Sequence, residues 1–352
     1  MNISLHLPLR AQPVTINQSI NKVMKLSIIT INYNNAEGLR KTLASVASQT
    51  YANIEHIIVD GASTDGSVEV IREYVKASPQ PSPEGKGRHI IWTSEPDNGI
   101  YNAMNKGIEI ALGRRVVNSL NRSERSEDKN KENEIALGKR VVNDDHTSTP
   151  YTLHPTPSQP CEHYVQILNS GDLLAAPDVT ERMMAALQVK GEEVDLLYGN
   201  MVKYDYTNNR TLGKSTEVEY SLRQYYTSTM NHDCCYIRRD LFETYGLYDE
   251  SLKIVSDWKW FLQTIGLGKV KPIYVDIDVT IFDASGISET NLALRNQERR
   301  QVLAELMPPA VLADYDAHAF EMEQMKRLRR WKLYPLVFFI ERVLFKLEKW
   351  LK

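Results

Sequence analysis

Leu26-Ser27-Ile28-Ile29-Thr30-Ile31 is a short and almost continuous apolar run, which is the pattern of a strand buried on both faces. Leu39, Leu43 and Val46 then recur at helical spacing. A buried strand followed directly by an amphipathic helix is the first half of a βαβ unit, so this stretch sets the fold class to be tested along the rest of the chain.

The same alternation repeats downstream. Ile54 to Val59 predicts a second strand that ends at Asp60, and His89 to Thr93 predicts a third. A helix is predicted after each strand, and these helices carry apolar residues on one face: Val68, Ile71 and Val75 in the first, then Ile100, Met104, Ile108 and Leu112, with Gly113 as a fitting C-cap. We therefore expect parallel βαβ units and an α/β core.

A further strand is predicted at Tyr164-Val165-Gln166-Ile167-Leu168, which runs into the turn Asn169-Ser170-Gly171-Asp172. In open α/β sheets ligands bind at the carboxyl ends of strands. A carboxylate at that edge is well placed to hold a divalent cation against a diphosphate, because hard cations prefer oxygen ligands. An ordinary loop aspartate explains the same tetrapeptide.

Composition places the chain among folded proteins of ordinary charge. Of 352 residues, 42% are hydrophobic and 25% are charged, and the net charge of −3 with a pI near 6.3 argues against a nucleic-acid-binding surface. The three cysteines, Cys161, Cys234 and Cys235, lack metal-ligand spacing and fit a reducing cytosol. We therefore expect a cytoplasmic protein without a nucleic-acid partner.

Three regions are predicted along the chain. Residues 1–24 lack a continuous apolar segment and are interpreted as a disordered extension or a misassigned start. Residues 25–288 form the α/β domain, interrupted at 114–163 by a polar, Pro-rich insertion in which Glu109 to Asn118 reappears as Glu134 to Asn143. Residues 289–352 form a helical C-terminal region.

The second half of the α/β domain has weaker signals. Val194 to Tyr198 predicts a strand that ends in Gly199-Asn200, and Lys271 to Phe282 predicts another strand. Leu241 to Tyr248 predicts a short helix.

The end of the chain carries an apolar stripe with a basic surplus around it. The stripe consists of Leu336, Phe339, Ile340, Val343, Leu344, Leu347 and Leu351. Its uncharged run is far shorter than the ~18 residues that a spanning helix needs. One interpretation is a helix docked on its own domain or on a second subunit. The other, which we favour, is a helix lying on an anionic membrane surface.

Polar clusters at the predicted strand ends permit two interpretations each. Asp60 to Gly66 is an ordinary turn, or Asp60 accepts hydrogen bonds from a nucleobase or ribose. Asn102, Asn105 and Lys106 are solvated positions or face a substrate. Asp257, beside Trp258 and Trp260, is a helix N-cap or a partly desolvated carboxylate whose raised pKa suits a general base.

Taken in order, several segments resemble the family 2 glycosyltransferases with the GT-A fold. The resemblance covers roughly Leu26 to Ser288 and rests on these segments: Ser27 to Asn34, Val59 to Gly66, Asp97 to Tyr101, Leu168 to Asp172 and Ser256-Asp257-Trp258. It implies a GT-A (Rossmann-like) α/β fold, with a mixed and mainly parallel sheet flanked by helices and a C-terminal helical extension.

The resemblance also implies roles for individual residues. Thr30, Asn32 and Asp60 would line the nucleotide pocket with Asp97 nearby, and Asp257 would be the general base. Asp172 would bind the divalent cation, Mg²⁺ or Mn²⁺, that bridges the donor diphosphate. His232 would lie near the diphosphate or the acceptor. The family's Asp-x-Asp motif stands here as Ser170-Gly171-Asp172, so its first carboxylate is missing.

The function implied is that of an inverting enzyme of the hexosyltransferase type. It would move a sugar from a nucleotide-diphosphate donor to a hydroxyl of a glycan or lipid-linked acceptor, in bacterial surface polysaccharide synthesis at the cytoplasmic face of the inner membrane. A nucleotide-sugar-binding protein with weak or lost turnover is the alternative, motivated by Ser170 and the insertion. An oxidoreductase is disfavoured because no Gly-x-Gly-x-x-Gly follows the first strand.

Overall fold

The computed structural model describes residues 24–78, 89–117, 163–190, 194–218, 221–284, 291–330 and 334–351. The predicted disordered extension at 1–23, most of the predicted insertion (118–162), Cys161, and the boundary near Ser288 lie outside the described residues. His163, assigned to the insertion from sequence, is the first residue of a buried strand.

A nine-stranded mixed sheet forms the centre of the domain, in the order β3-β2-β1-β4-β8-β6-β9-β5 with β7 paired to β6. Its strands are β1 Lys25–Asn32, β2 Ile54–Asp60, β3 His89–Ser94, β4 His163–Ile167, β5 Leu173–Leu174, β6 Leu196–Asp205, β7 Arg210–Ser215, β8 Cys235–Arg238 and β9 Pro272–Asp283. The predicted strands at the start of the chain, at Tyr164 and at Lys271 to Phe282 are confirmed within one or two residues at either end.

Parallel pairing builds one half of the sheet and antiparallel pairing enters in the other. β1 lies parallel to both β2 and β4, and β2 lies parallel to β3. β8 is antiparallel to β4 and to β6, whereas β6 and β9 are parallel. Most paired positions are in parallel ladders, so the predicted mixed and mainly parallel sheet is confirmed. The carboxyl ends of β1 to β4 consequently meet along one edge.

Helices cover both faces of the sheet and extend beyond it. They are α1 Ala36–Ala47, α2 Ser67–Ala77, α3 Ile100–Ala111, α4 Val179–Lys190, α5 Leu222–Thr227, α6 Leu241–Thr244, α7 Ser256–Phe261, α8 Leu292–Leu306, α9 Pro309–Arg329 and α10 Tyr334–Leu351. α3 ends as predicted, because Gly113 adopts a φ of +71° that closes the helix without a Cβ clash.

The hydrophobic core is divided by the sheet. The larger cluster packs α3 against the aromatic side chains around α7, including Trp258, Trp260 and Phe261. A second cluster lies between α4 and the other face of the sheet. The packing of α7 on α3 joins residues that are more than 150 positions apart, and it determines where Asp257 lies.

Two sequence predictions for the second half of the sheet were wrong. β6 was expected to end at Gly199-Asn200, but it continues to Asp205 and forms a hairpin with β7. Gly199 is not a turn residue, since a Cβ there would lie 2.5 Å from the backbone oxygen of Ile277. The helix predicted over Leu241 to Tyr248 spans only Leu241–Thr244.

The predicted C-terminal helices are present as α8, α9 and α10. From Leu336 to Trp350, the side chains of α10 are exposed, including the apolar ones, so none of them is buried against the rest of the described chain. None of the helices in the described ranges combines the length and the apolar composition needed to cross a membrane.

Candidate active site

The carboxyl ends of β1 to β4 gather the polar side chains that the sequence analysis singled out. The described loops beyond these strands contain five residues with positive φ, Asn34, Ala62, Gly66, Gly99 and Gly171. Positive φ is rare outside glycine, and it clusters where backbone is bent around a binding site. This edge of the sheet is therefore the candidate binding site.

Three predicted nucleotide-binding residues lie on neighbouring positions of β1 and β2. Asn32 and Asp60 are register partners, and the Asn32 amide donates to Asp60 Oδ1 at 2.8 Å. Asp60 also accepts hydrogen bonds from the Ser63 backbone, Ser63 Oγ and Ser94 Oγ. Thr30 is fully buried and bonds His56 Nε2 at 3.0 Å. Asn32 and Asp60 thus stabilise the turn that follows β2, whereas Thr30 is buried two residues earlier on β1.

Asp97 lies beside the turn that follows β2. Its Oδ1 accepts from the Gly99 backbone at 2.9 Å, which fixes the start of α3. A Cβ added at Gly61 would lie 2.5 Å from Asp97 Oδ2, so glycine is needed at position 61 for this approach. The structure therefore places Asp97 next to the Asp60 turn.

The turn Asn169 to Asp172 is held by helix α1. The Thr42 hydroxyl donates to the Asp172 carbonyl at 2.8 Å and accepts from the Gly171 backbone at 2.9 Å. Asn35, the N-cap of α1, donates to the Ser170 carbonyl at 3.1 Å. Gly171 has a φ of +109°, which a side chain would strain. The turn is thus built into the fold.

Asp172 is a buried carboxylate beside a second one. Only 4% of Asp172 is exposed, and its Oδ1 accepts from the Asp283 backbone at 3.0 Å. Burial and then the charge of Asp233 hold the pKa of Asp172 well above its usual range. Burial also raises the pKa of Asp233, whose Oδ2 accepts from Thr280 at 2.5 Å. Sequence analysis missed Asp233, although it follows His232 directly.

Asp257 lies between Tyr101 and His232. The Tyr101 hydroxyl donates to its Oδ1 at 2.8 Å, and His232 Nδ1 lies 3.0 Å from its Oδ2. The N-cap of α7 is Val255, so Asp257 is not the cap that one interpretation proposed. The other ring nitrogen of His232, Nε2, lies 3.4 Å from the Asn169 amide nitrogen. A hydrogen-bonded chain therefore connects α3, α7 and the turn Asn169 to Asp172.

The pKa of Asp257 differs from the sequence expectation of a raised value. Burial raises it, but the hydrogen bond and charge of His232, helped by Tyr101, outweigh burial and lower the pKa below its ordinary value. For His232, burial lowers the pKa, and the bond and charge of Asp257 reverse this so that the pKa is raised. Both shifts arise from the attraction between the Asp257 carboxylate and the His232 ring.

The polar residues of α3 have structural partners. Asn105 is buried and donates to the Tyr248 carbonyl and to Glu250, and Asn102 also donates to Glu250. Lys106 donates to the Pro96 carbonyl at 2.8 Å. The asparagine contacts fasten α3 to the loop before α7, and the Lys106 contact fastens it to the loop after β3. They support Tyr101 and Asp257 from behind, which is a structural use of the cluster.

A cavity of about 350 Å³ opens beside Asp257. Its charged lining residues are Lys203, His232, Asp233, Asp257, Arg295 and Arg299. The predicted nucleotide-binding residues Thr30, Asn32, Asp60 and Asp97 do not line it. The cavity therefore continues the site on the other side of the His232–Asp257 pair. Arg295 and Arg299 escaped sequence analysis because α8 follows the last recognisable motif.

The buried carboxylates fit a divalent cation held partly by a ligand. Asp172 and Asp233 supply hard oxygen donors, and a cation would offset the burial and repulsion that raise their pKa values. In the described ranges no group of three or more His, Cys, Asp or Glu side chains could hold an ion. Mg²⁺ commonly takes one or two carboxylates together with substrate phosphates, so the arrangement suits such a site.

Comparison with known proteins finds one matching family model and several similar glycosyltransferases. Residues 27–119 match the family model "Glycosyl transferase family 2". An uncharacterized glycosyltransferase of Mycobacterium tuberculosis is 25% identical over 265 residues, covering 74% of this chain and 76% of the relative. A PGL/p-HBAD biosynthesis glycosyltransferase of Mycobacterium bovis is 22% identical, covering 75% of this chain and 79% of the relative.

Among solved structures, a mannosyltransferase from Pyrobaculum calidifontis in complex with GDP-Man and Mn²⁺ is similar, with a TM-score of 0.49 and 15% identity over 85% of this chain and 70% of that one. The segment that matches the family model contains Asn32 and Asp60, at the ends of β1 and β2, and Asp97, in the loop after β3. This chain is therefore similar to family 2 glycosyltransferases over residues 27–119 and to curated glycosyltransferases over 74% and 75% of its length, and its own fold is α/β with a mixed sheet.

Proposed function

We propose that this enzyme transfers a sugar from a nucleotide-diphosphate donor to an acceptor hydroxyl, with inversion and in a single displacement. One observation carries the proposal: a hydrogen-bonded chain runs from Tyr101 through Asp257 and His232 to Asn169, at the edge of the sheet that also holds Asp172. A carboxylate base and a buried carboxylate beside a diphosphate are the two parts that such a displacement needs.

Asp257 is proposed as the base that accepts the proton of the acceptor hydroxyl. Its lowered pKa keeps it ionised at neutral pH, so the proton-accepting form is present. Tyr101 and His232 each use one oxygen, and each oxygen retains a further acceptor position. The exposed fraction of the Asp257 side chain is 17%, on the cavity side, which leaves a path for the hydroxyl.

Asp172 is proposed to hold the donor diphosphate through a divalent cation, with Asp233 as a neighbouring carboxylate. When bound, Mg²⁺ or Mn²⁺ would offset negative charge on the departing nucleoside diphosphate. The chain's own contribution is positional, because Thr42, Asn35 and the φ of Gly171 fix the turn before any ligand arrives. The nucleotide is proposed to lie on the other side of the turn, over Asn32, Asp60 and Asp97, above the buried Thr30.

A screen of nucleotide sugars tests this function. The full chain is incubated with each donor with and without Mn²⁺, and release of nucleoside diphosphate is measured. We expect cation-dependent release with at least one donor, and its loss in Asp172→Asn. The alternative, a nucleotide-sugar-binding protein with weak or lost turnover, is motivated by Ser170. Donor binding without release, in the presence of candidate acceptors, would favour it over transfer.

Helix α10 supports a peripheral membrane location and therefore a lipid-linked acceptor at the cytoplasmic face of the inner membrane, as in surface polysaccharide synthesis. Seven of its exposed apolar side chains share one face: Leu336, Phe339, Ile340, Val343, Leu344, Leu347 and Trp350, whereas exposed Phe338 and Phe345 lie on the other side. Arg342, Lys346 and Lys349 lie on the opposite side of this face and at its border. Basic residues beside an exposed apolar face are suited to anionic headgroups.

Vesicle binding tests the membrane contact. The full chain is sedimented with vesicles of anionic lipid and, separately, of zwitterionic lipid. We expect binding to the anionic vesicles, and its loss in the double variant Ile340→Ser/Leu347→Ser. Arg210→Gln, in the exposed hairpin, is the matched surface control. Equal sedimentation of the double variant and the control would refute the contact, and a concentration-dependent dimer that the double variant abolishes would instead assign the face to a second copy.

A further inference from the structure

Arg299 lines the cavity beside Asp257 and is held in a fixed position. Its guanidinium lies 4.6 Å from the centre of the Trp258 ring, and Trp258 follows Asp257 directly. Its Nη2 donates to the Ser228 carbonyl at 2.7 Å and its Nη1 to the Thr227 carbonyl at 3.4 Å, at the end of α5. A guanidinium held by a ring face and two carbonyls is immobilised before a ligand binds.

The structural contacts of Arg299 use only part of its hydrogen-bonding capacity. A guanidinium has five N–H donors, and two of them reach the carbonyls of α5. In the described part of the chain no carboxylate forms an ion pair with Arg299, although Asp257 lies close enough to affect its charge. The remaining donors and the positive charge are therefore available to a ligand in the cavity.

Charged side chains of both signs line the cavity. Lys203, Arg295 and Arg299 line it against the two carboxylates Asp233 and Asp257, with His232 between them. Burial, followed by the nearby charge of Arg295, lowers the pKa of Arg299 to about 10. An anion bound beside Arg299 would favour the charged form of its guanidinium, which burial and the charge of Arg295 disfavour.

We propose that Arg299 and Arg295 form a binding site for a phosphate or diphosphate group in the cavity next to Asp257. Guanidinium groups match phosphate oxygens in geometry and bind them in pairs. Such a group has two sources in a transfer reaction, the diphosphate of the donor and a phosphate carried by the acceptor. Asn32, Asp60 and Asp97 do not line the cavity, which favours the acceptor. The assignment of this phosphate to a donor or an acceptor rests on the proposed sugar transfer, but binding at the site can be measured without turnover.

Binding of inorganic pyrophosphate to the full chain, measured calorimetrically in EDTA so that no cation contributes, tests the site. We expect Arg299→Gln and Arg295→Gln each to weaken binding at least about tenfold, because each removes a charge-assisted hydrogen bond. Arg299→Lys should retain part of the affinity, since it keeps the charge and loses the fork.

Arg300→Gln is the matched control, because Arg300 is the next residue of α8 and pairs with Asp316 on the surface. If Arg299→Gln proves misfolded by circular dichroism, Arg295→Gln decides. The proposal is overturned if wild type does not bind pyrophosphate, or if Arg299→Gln and Arg295→Gln bind it as tightly as Arg300→Gln.

A second set of titrations distinguishes the two sources. Weaker binding of farnesyl phosphate in Arg299→Gln, with unchanged binding of UDP and GDP in Mn²⁺, assigns the site to the acceptor. Weaker binding of the nucleoside diphosphates assigns it to the donor. If the wild-type protein transfers sugar from none of the donors but still binds pyrophosphate, the proposed function is refuted and the phosphate site is retained.

Discussion

The two ends of the same parallel strands carry polar clusters of opposite character. At the amino ends, Glu55 accepts from Lys25 at 2.7 Å and from Ser27 at 2.6 Å, and Ser27 Oγ lies 2.7 Å from His163 Nε2. No side-chain N or O atom of these four residues is left without a partner. A closed and paired cluster of this kind stabilises the fold and has no capacity for a ligand.

At the carboxyl ends, by contrast, hydrogen-bonding capacity is left over. The side-chain oxygens Asn32 Oδ1 and Asn169 Oδ1 are buried without a partner, and a cavity of about 350 Å³ opens beside Asp257. A buried polar atom without a partner costs free energy, so its retention indicates a use. The comparison teaches that burial of polar groups alone does not identify a site. Incomplete pairing next to open space does.

The largest expected effect is a loss of turnover from a change at the carboxyl ends of the strands. Asp257→Asn removes the proposed base while keeping the size of the side chain, so kcat should fall about 10²- to 10⁴-fold with little change in donor affinity. Steady-state kinetics with the donor found in the screen, together with donor titration, measures both. Asp316→Asn on the surface of α9 is the control. Turnover that survives Asp257→Asn would remove the base assignment.

At the amino end, the corresponding effect is on stability and depends on pH. Burial, then the charges of Lys25 and Arg239, lowers the pKa of His163 from 6.5 to about 4. Between these values the unfolded chain binds the proton and the folded chain does not, so stability falls as pH falls from 6.5 to 4. The shift corresponds to at most about 3 kcal/mol.

Urea unfolding at several pH values measures this contribution. His163→Gln should unfold with a shallower pH dependence between pH 6.5 and 4 than wild type, and with unchanged kcat at neutral pH. His318→Gln, exposed on α9, is the control and should follow wild type. If the wild type and His163→Gln curves stay parallel over this range, His163 does not titrate as its burial implies.

A third change tests whether the amino-end cluster is purely structural. Glu55→Gln leaves Lys25 without its buried partner and should lower the free energy of unfolding by about 1–3 kcal/mol. Lys25 is partly exposed, which keeps the loss below that of a fully buried pair. Glu73→Gln breaks an exposed pair with Arg40 and should change stability by less than about 1 kcal/mol. If Glu55→Gln is fully folded and its kcat is nevertheless reduced, the cluster at the amino ends of the strands is not purely structural.

The sequence was sufficient for the parallel half of the sheet and less so for the rest. β1, β2 and β4 are buried on both faces, so their apolar runs identify them directly. The β6–β7 hairpin was missed because its strands are polar and half-exposed, and Gly199 was taken for a turn because its tertiary contact with Ile277 has no local signature. Local sequence patterns predict which strands are buried, but they do not predict where two backbone segments come into close contact.

The candidate site shows the same limit. Asp172 and Asp257 were singled out because each lies in a motif, and the structure connects them through His232 and Asn169. Asp233, Arg295 and Arg299 were not, because their proximity to Asp257 follows from the packing of α7 and α8, which no spacing encodes. The direction of the Asp257 pKa also depends on His232, 25 residues away in sequence.

The smallest expected effect concerns backbone strain at the carboxyl end. Gly171 has a φ of +109°, and an added Cβ would meet no atom closer than 3.6 Å, so Gly171→Ala tests conformational strain without a clash. We expect a loss of about 1–2 kcal/mol in urea unfolding. Gly213→Ala, in open space on β7 at an ordinary φ, should not destabilise the protein.

The two measurements distinguish how the strain at position 171 is accommodated. If the turn moves to relieve the strain, Asp172 is displaced and cation-dependent release of nucleoside diphosphate falls. If the turn stays in place, only the free energy of unfolding falls. An unfolding midpoint and a release rate that both match those of Gly213→Ala would show that the turn adapts freely, and would weaken the view that the carboxyl end is held in shape before a ligand binds.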